Sequence, residues 1–260
     1  MKFGASSACF YPLETEKSLI RLGEIGVKNA EVFFNAFSEL ENGFLKELCN
    51  IKQHYGMEIV SVHPFMCFAE GYNIFSSYKR RFDDSLETYK SYFEATATLG
   101  ANFFVMHGSK IYMDISREEY AERFDIFRET AERYGVIVAH ENVVDYVGQS
   151  PEYMLFMKKM IGEKFKMTLD IKQARRAKVD AFEFIKTMGS SIVHLHLSDY
   201  SDFSDCLPPS ENGKFDFKRL FAEMKKLDYN GSCIVELYNK NFSDDRQITQ
   251  AIEYLKQIAK

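Results

Sequence analysis

Eight short β-rich runs recur along this chain, each followed by a longer charged stretch whose apolar residues keep helical spacing. That alternation restricts the fold to repeated βαβ units. The strand candidates are residues 3–6, 30–34, 58–63, 102–107, 136–141, 166–170, 192–197 and 232–237. Gly26, Gly56, Gly100 and Gly135 fall a few residues before strands, where helices commonly end on glycine. Ser150-Pro151-Glu152 reads as a helix start with its cap and first-turn proline, and Asp180 and Asp216 are placed to cap later helices. Eight such units predict an α/β chain folded as a single (β/α)8 barrel. The 260 residues, 46% of them hydrophobic, supply core enough for it. No linker, low-complexity tract or composition break divides residues 1–260, so one domain is expected.

Strand parity then picks out candidate chemistry. Side chains alternate along a strand, so Glu141 shares an inward face with Ala139 and Ile137, Asp170 with Thr168, His196 with His194 and Ile192, and Glu236 with Ile234. The four are expected to converge at the C-terminal mouth of the barrel, where barrel enzymes place their chemistry. A lone histidine or carboxylate at a strand end is usually a cap or a loop hydrogen-bond partner. Four on separate strands with consistent parity argue for more, because buried carboxylates are costly without a cation or strong donors. Glu141, Asp170, His196 and Glu236 are therefore expected to hold one divalent metal. His63 and His107 end two further strands and point to the same mouth. Glu31 reads equally as an interior polar group or as a helix-facing ion-pair partner. His54 and His140 read as structural, the second pointing outward on its strand. Most of the 24 Phe and 15 Tyr residues read as packing. Phe65, Phe68 and Tyr72 lie near the mouth, as core or as pocket wall.

Charge and cysteine usage exclude several classes. A net charge of −5, mixed along the chain, argues against a surface built to neutralise phosphates, so no nucleic acid partner is expected. Cys9, Cys49, Cys67, Cys206 and Cys233 are odd in number and widely spaced, which indicates neither a disulfide framework nor a thiolate zinc site. They suit a reducing, cytoplasmic setting. No apolar run approaches the roughly 20 residues of a membrane span, and no signal-like segment opens the sequence. A soluble, unsecreted protein is the expectation.

The motifs Val62-His63-Pro64, Met106-His107-Gly108, His140-Glu141-Asn142, Leu169-Asp170, His194-Leu195-His196-Leu197-Ser198-Asp199, Gly213-Lys214-Phe215-Asp216-Phe217 and Ile234-Val235-Glu236-Leu237 together resemble those of the xylose isomerase-like TIM barrels. That family includes sugar epimerases and isomerases, inosose dehydratases and endonuclease IV, and the resemblance spans essentially the whole chain. It implies that Glu141, Asp170, His196 and Glu236 are the metal ligands of the epimerase branch, with Glu141 and Glu236 as its acid–base pair. His63 and His107 match polar positions used for substrate in some members and for extra metal in endonuclease IV. The family often has histidine three residues after the strand-six aspartate, whereas this chain has Gln173. A neutral amide can bond substrate hydroxyls but is a poor ligand for a zinc cluster. Asp199 to Lys214 also lacks the further histidine of the endonuclease branch. Both departures point to a mononuclear enzyme.

Three carboxylates and one imidazole form a hard, oxygen-rich site, so Mn²⁺ is the expected metal, with Mg²⁺, Co²⁺ and Zn²⁺ as alternatives. Such a site would polarise a substrate carbonyl and stabilise the enediolate left when the adjacent carbon loses its proton. Glu141 and Glu236 would then move protons on opposite faces for epimerisation, or between neighbouring carbons for isomerisation. The expected substrate is a small sugar, ketose or polyol, phosphorylated or not. His63, His107, Lys172 and Gln173 are the expected substrate contacts, with Lys110, Arg175 and Arg176 as further candidates for an anionic end. A lyase of an inosose or dehydroshikimate-like substrate ranks second, an endonuclease IV-like phosphodiesterase third, and a non-catalytic sugar-binding barrel last. Pairing into a homo-oligomer through the mouth loops is a further expectation.

Overall fold

Strands buried on both faces need nearly continuous apolar runs, and the third candidate provides one: Ile59, Val60 and Val62 are all buried around Ser61. The computed structural model describes the chain except Met66 and the side chains of Cys67 and Phe68, so the expectation for Phe68 lies outside the described residues. Eight parallel strands form one closed barrel: β1 (Lys2–Ser6), β2 (Asn29–Phe33), β3 (Glu58–His63), β4 (Phe103–Met106), β5 (Ile137–Glu141), β6 (Lys166–Asp170), β7 (Ile192–Leu197) and β8 (Ser232–Val235). Neighbours pair in chain order, and β8 returns to β1 with Lys2 opposite Ser232 and Ala5 opposite Val235. Around it run α1 (Thr15–Glu24), α2 (Asn42–Tyr55), α3 (Cys67–Ile74), α4 (Lys79–Thr98), α5 (Arg117–Glu132), α6 (Pro151–Ile161), α7 (Ile171–Arg176), α8 (Ala181–Met188), α9 (Phe217–Lys226) and α10 (Arg246–Ile258).

The expected helix starts are capped as the sequence implies. Ser150 accepts from Tyr153 N at 3.2 Å, Asp180 from Phe182 N at 3.0 Å and Asp216 from Arg219 N at 2.9 Å. Outward-facing Phe104 of β4 meets Phe93 of α4 at 5.3 Å between ring centroids, and Phe93 meets Phe127 of α5 at 5.1 Å. Such edge-to-face pairs fill the layer between barrel and helices.

The structure departs from the sequence reading in four places. β8 stops at Val235, so Glu236 stands one residue beyond the strand, although its N–H still donates to Leu197 O at 3.2 Å. β4 stops at Met106, because the next two amides turn to a side chain rather than to β5. The 64–78 segment, read as loop, contains α3. Tyr72 is exposed, with the Arg81 guanidinium 4.1 Å from its ring centre, and so is not core. Among the described residues no helix is long and apolar enough to cross a membrane.

Candidate metal centre at the barrel mouth

Glu141, Asp170, His196 and Glu236 are brought together: each offers an oxygen or ring nitrogen within 4.8 Å of those of the other three. Glu141 ends β5, Asp170 ends β6, His196 lies near the end of β7 and Glu236 follows β8. His196 is the hub. Its Nδ1 is 3.2 Å from Glu141 Oε1, 3.7 Å from Glu236 Oε2 and 3.9 Å from Asp170 Oδ2. Its Nε2 is 3.1 Å from Glu31 Oε2, which fixes the ring so that Nδ1 faces the three carboxylates.

Glu31 is the residue the sequence left undecided, and it points inward. Its Oε2 also receives Ser61 Oγ at 2.8 Å and His194 Nε2 at 3.2 Å. Burial pushes the Glu31 carboxyl up, but the charge of His196 and hydrogen bonds from both histidines prevail and hold it well below the usual range. Two cysteines grip the backbone on either side of Glu236. Cys206 Sγ is 3.5 Å from Glu236 O, while Cys9 Sγ is 3.5 Å from Val235 O and accepts from Leu237 N at 3.4 Å.

His63 and His107 flank Glu141. His107 Nε2 lies 2.9 Å from both Glu141 Oε2 and His63 Nε2, while His63 Nδ1 donates to Pro64 O at 3.0 Å. Burial opposes ionisation of Glu141, yet His107, His196 and His63 together hold its carboxyl well below normal. Glu70 of α3 was not singled out by the sequence. Its Oε2 accepts from His107 N at 2.8 Å and Gly108 N at 3.1 Å, anchoring α3 to the end of β4. His140 is structural as expected: Nδ1 donates to Glu141 O at 3.0 Å and Nε2 accepts from Tyr120 Oη at 2.6 Å. Burial keeps it neutral, its value pushed down to about 4.

Lys172 and Gln173 both make contacts within the chain. Lys172 Nζ stands 2.7 Å from Glu236 Oε2 and 3.3 Å from Asp170 Oδ2. Gln173 Oε1 accepts from Val144 N at 3.2 Å, and its backbone N–H donates to Asp170 Oδ1 at 2.8 Å, so it ties the loop after β5 to α7. Asn142 braces the same region by exchanging hydrogen bonds with the Asp170 backbone at 2.7 and 2.9 Å. Of the candidates for an anionic end, Arg176 is paired with Asp205 at 2.6 Å, Lys110 sits 4.3 Å from the Tyr146 ring centre, and Arg175 stacks on Tyr200 at 4.4 Å.

The donor set fits a divalent cation. The buried carboxylates of Glu31, Glu141 and Asp170 and the nearly buried one of Glu236 face imidazoles and a single ammonium. Asp170 Oδ2 is buried and accepts no hydrogen bond. Burial, reinforced by the charges of Glu141 and Glu236, pushes the Asp170 carboxyl up to about 7, as expected where negative charge awaits a stronger counterion.

A profile of the xylose isomerase-like TIM barrel family matches residues 21–258. The chain belongs to that family. Among sequence relatives of this family member is the uncharacterised protein MJ1311 of Methanocaldococcus jannaschii, 26% identical over 98% of this chain and 90% of its own length. A crystal structure of a D-tagatose 3-epimerase-like protein is 25% identical, with a TM-score of 0.80 over 99% of this chain and 97% of the other. D-psicose 3-epimerase of Clostridium cellulolyticum H10, solved with D-tagatose, superposes with a TM-score of 0.82 over the full length of both chains at 16% identity, a likeness of fold.

Proposed function

We propose that this xylose isomerase-like barrel is a divalent-metal-dependent epimerase or isomerase of a small sugar, ketose or polyol. One observation carries the reading: Glu141 at the end of β5 and Glu236 just after β8 both approach the same ring nitrogen of His196, at 3.2 and 3.7 Å. Two carboxylates set around one point are the arrangement that proton removal and return require. The 25% identity to a D-tagatose 3-epimerase-like protein supports the same class.

Glu141, Asp170, His196 and Glu236 would hold the cation, with Mn²⁺ the best match to three carboxylates and one imidazole. When bound, it supplies Lewis acidity to the substrate carbonyl and acidifies the neighbouring carbon. The chain's own groups do the rest. One glutamate takes the proton from carbon. The other returns a proton to the opposite face for epimerisation, or to the adjacent carbon for isomerisation. Glu141 has a neighbour through which a proton can be relayed, since His107 Nε2 lies 2.9 Å from Glu141 Oε2. His63, in contact with His107, and Lys172 are the groups this reading offers to substrate oxygens.

The test is exchange of substrate C–H hydrogen with D₂O, followed by NMR over a panel of ketoses and inososes with Mn²⁺ present. Glu141→Gln and Glu236→Gln should each lower exchange by about 10²–10⁴-fold. Exchange that survives in either variant, or its absence from wild-type protein holding one metal per chain, would overturn the two-glutamate mechanism. A dehydrated product would reassign the protein to the lyases.

A further inference from the structure

Lys172 is buried on the first turn of α7, and its ion pairs are with Glu236 and Asp170. The oxygens it meets, Glu236 Oε2 and Asp170 Oδ2, are the same two that face His196 Nδ1. A cation seated beside His196 Nδ1 would meet those two atoms. An ammonium and a dication that share two buried oxygens repel strongly, because the interior screens charge far less than water does. The lysine also meets an aromatic ring, which it shares with the Arg176 guanidinium at 5.2 Å. Its Nζ lies 5.3 Å from the ring centre of Tyr238, a side chain partly exposed just beyond β8, and its flexible four-carbon stem permits movement.

We propose that Lys172 is a resident cation that alternates with the metal. In the metal-free protein its ammonium holds Asp170 and Glu236 together. Metal binding displaces it toward Tyr238 and the mouth, where it becomes available to an oxygen of the substrate. The displacement stands on the centre's geometry alone, whereas the substrate contact rests on the proposed epimerase or isomerase reading.

The experiment is a calorimetric Mn²⁺ titration of the full chain, with thermal unfolding in parallel, for wild type, Lys172→Met and Lys172→Arg. Lys172→Met should bind Mn²⁺ at least about tenfold more tightly, since the competing charge is gone. Without metal it should unfold at a lower temperature than wild type, and saturating Mn²⁺ should close the gap. Lys172→Arg, which keeps the charge, should bind like wild type. Unchanged or weaker binding by Lys172→Met would overturn the alternation, since the lysine would then be a ligand-positioning group. If Lys172→Met does not fold, acylation of the Lys172 amine in wild-type protein decides, read by peptide mass spectrometry. Labelling that rises with Mn²⁺ supports displacement, and labelling that stays constant overturns it. A wild type that binds no Mn²⁺ removes the metal centre and the alternation together. Mn²⁺ results as expected without any C–H exchange would remove only the epimerase reading and leave the alternation supported.

Discussion

At the scale of single residues, the centre depends on a side chain that touches none of the three carboxylates it serves. Glu31 Oε2 gathers Ser61, His194 and His196, and through His196 Nε2 it decides which ring nitrogen faces inward. Glu31→Gln keeps the volume but puts a neutral amide against two imidazoles. The expected outcome is a loss of about 1–3 kcal/mol in stability and of about 10–100-fold in Mn²⁺ affinity. Denaturant unfolding and metal titration check the two parts separately, and unchanged affinity would mean that His196 is oriented by other contacts. The sequence could not assign Glu31 because its partners Ser61, His194 and His196 come from distant strands, and Ser61 is brought opposite it only by a register shift past Val60 in β3. Glu141, Asp170, His196 and Glu236 were legible because each keeps its inward parity to the mouth, even where the β6–β7 register shifts past Val193.

At the scale of elements, the barrel strands were readable from apolar runs and glycine punctuation, and the mouth segments were not. Glu70 belongs to α3, in a segment with no strand parity to read, and its role depends on where that helix docks. Its partners sit at Gly108, whose φ of 81° places it in the left-handed region. A Cβ there would fall 2.2 Å from Tyr120 Oη and 2.6 Å from His140 Nε2, on top of the hydrogen bond that fixes His140. Gly108→Ala should therefore cost about 2 kcal/mol or more, lowering the unfolding temperature by roughly 5 °C. It should also disturb His107 next door, seen as a shift of the His107 ring signals in NMR. A substitution that left stability and those signals unchanged would show that the β4–α3 junction tolerates side chains. Lys172 and Gln173 belong to the same lesson. Both were expected as substrate contacts, and their contacts within the chain could not be read from sequence: α7 turns one onto the carboxylates of Asp170 and Glu236 and the other onto the loop after β5.

At the scale of the whole molecule, a ring of strands concentrates negative charge at one end of a buried interior, and pH reports on it. The folded value of Asp170, about 7, exceeds its unfolded value of about 4. Its contribution to the stability of the metal-free protein is therefore complete below about pH 4 and is lost as pH rises through about 7. A bound cation offsets that loss. Mn²⁺ should raise the unfolding temperature more at pH 8 than at pH 5.5, and its affinity should fall steeply as pH drops below about 7, because both the Asp170 carboxyl and the His196 ring must give up a proton to bind it. Thermal scans and titrations at the two pH values check this, and equal shifts would place the Asp170 proton elsewhere. The pairing of β8 with β1 has a consequence for how the molecule is made. A chain emerging from the ribosome presents Glu141, Asp170 and His196 before Glu236, and before the segment that seals the ring. Under the proposed reading, capture of a cation by all four residues would therefore have to wait until the ring has closed, which makes ion retention a readout of a completed barrel.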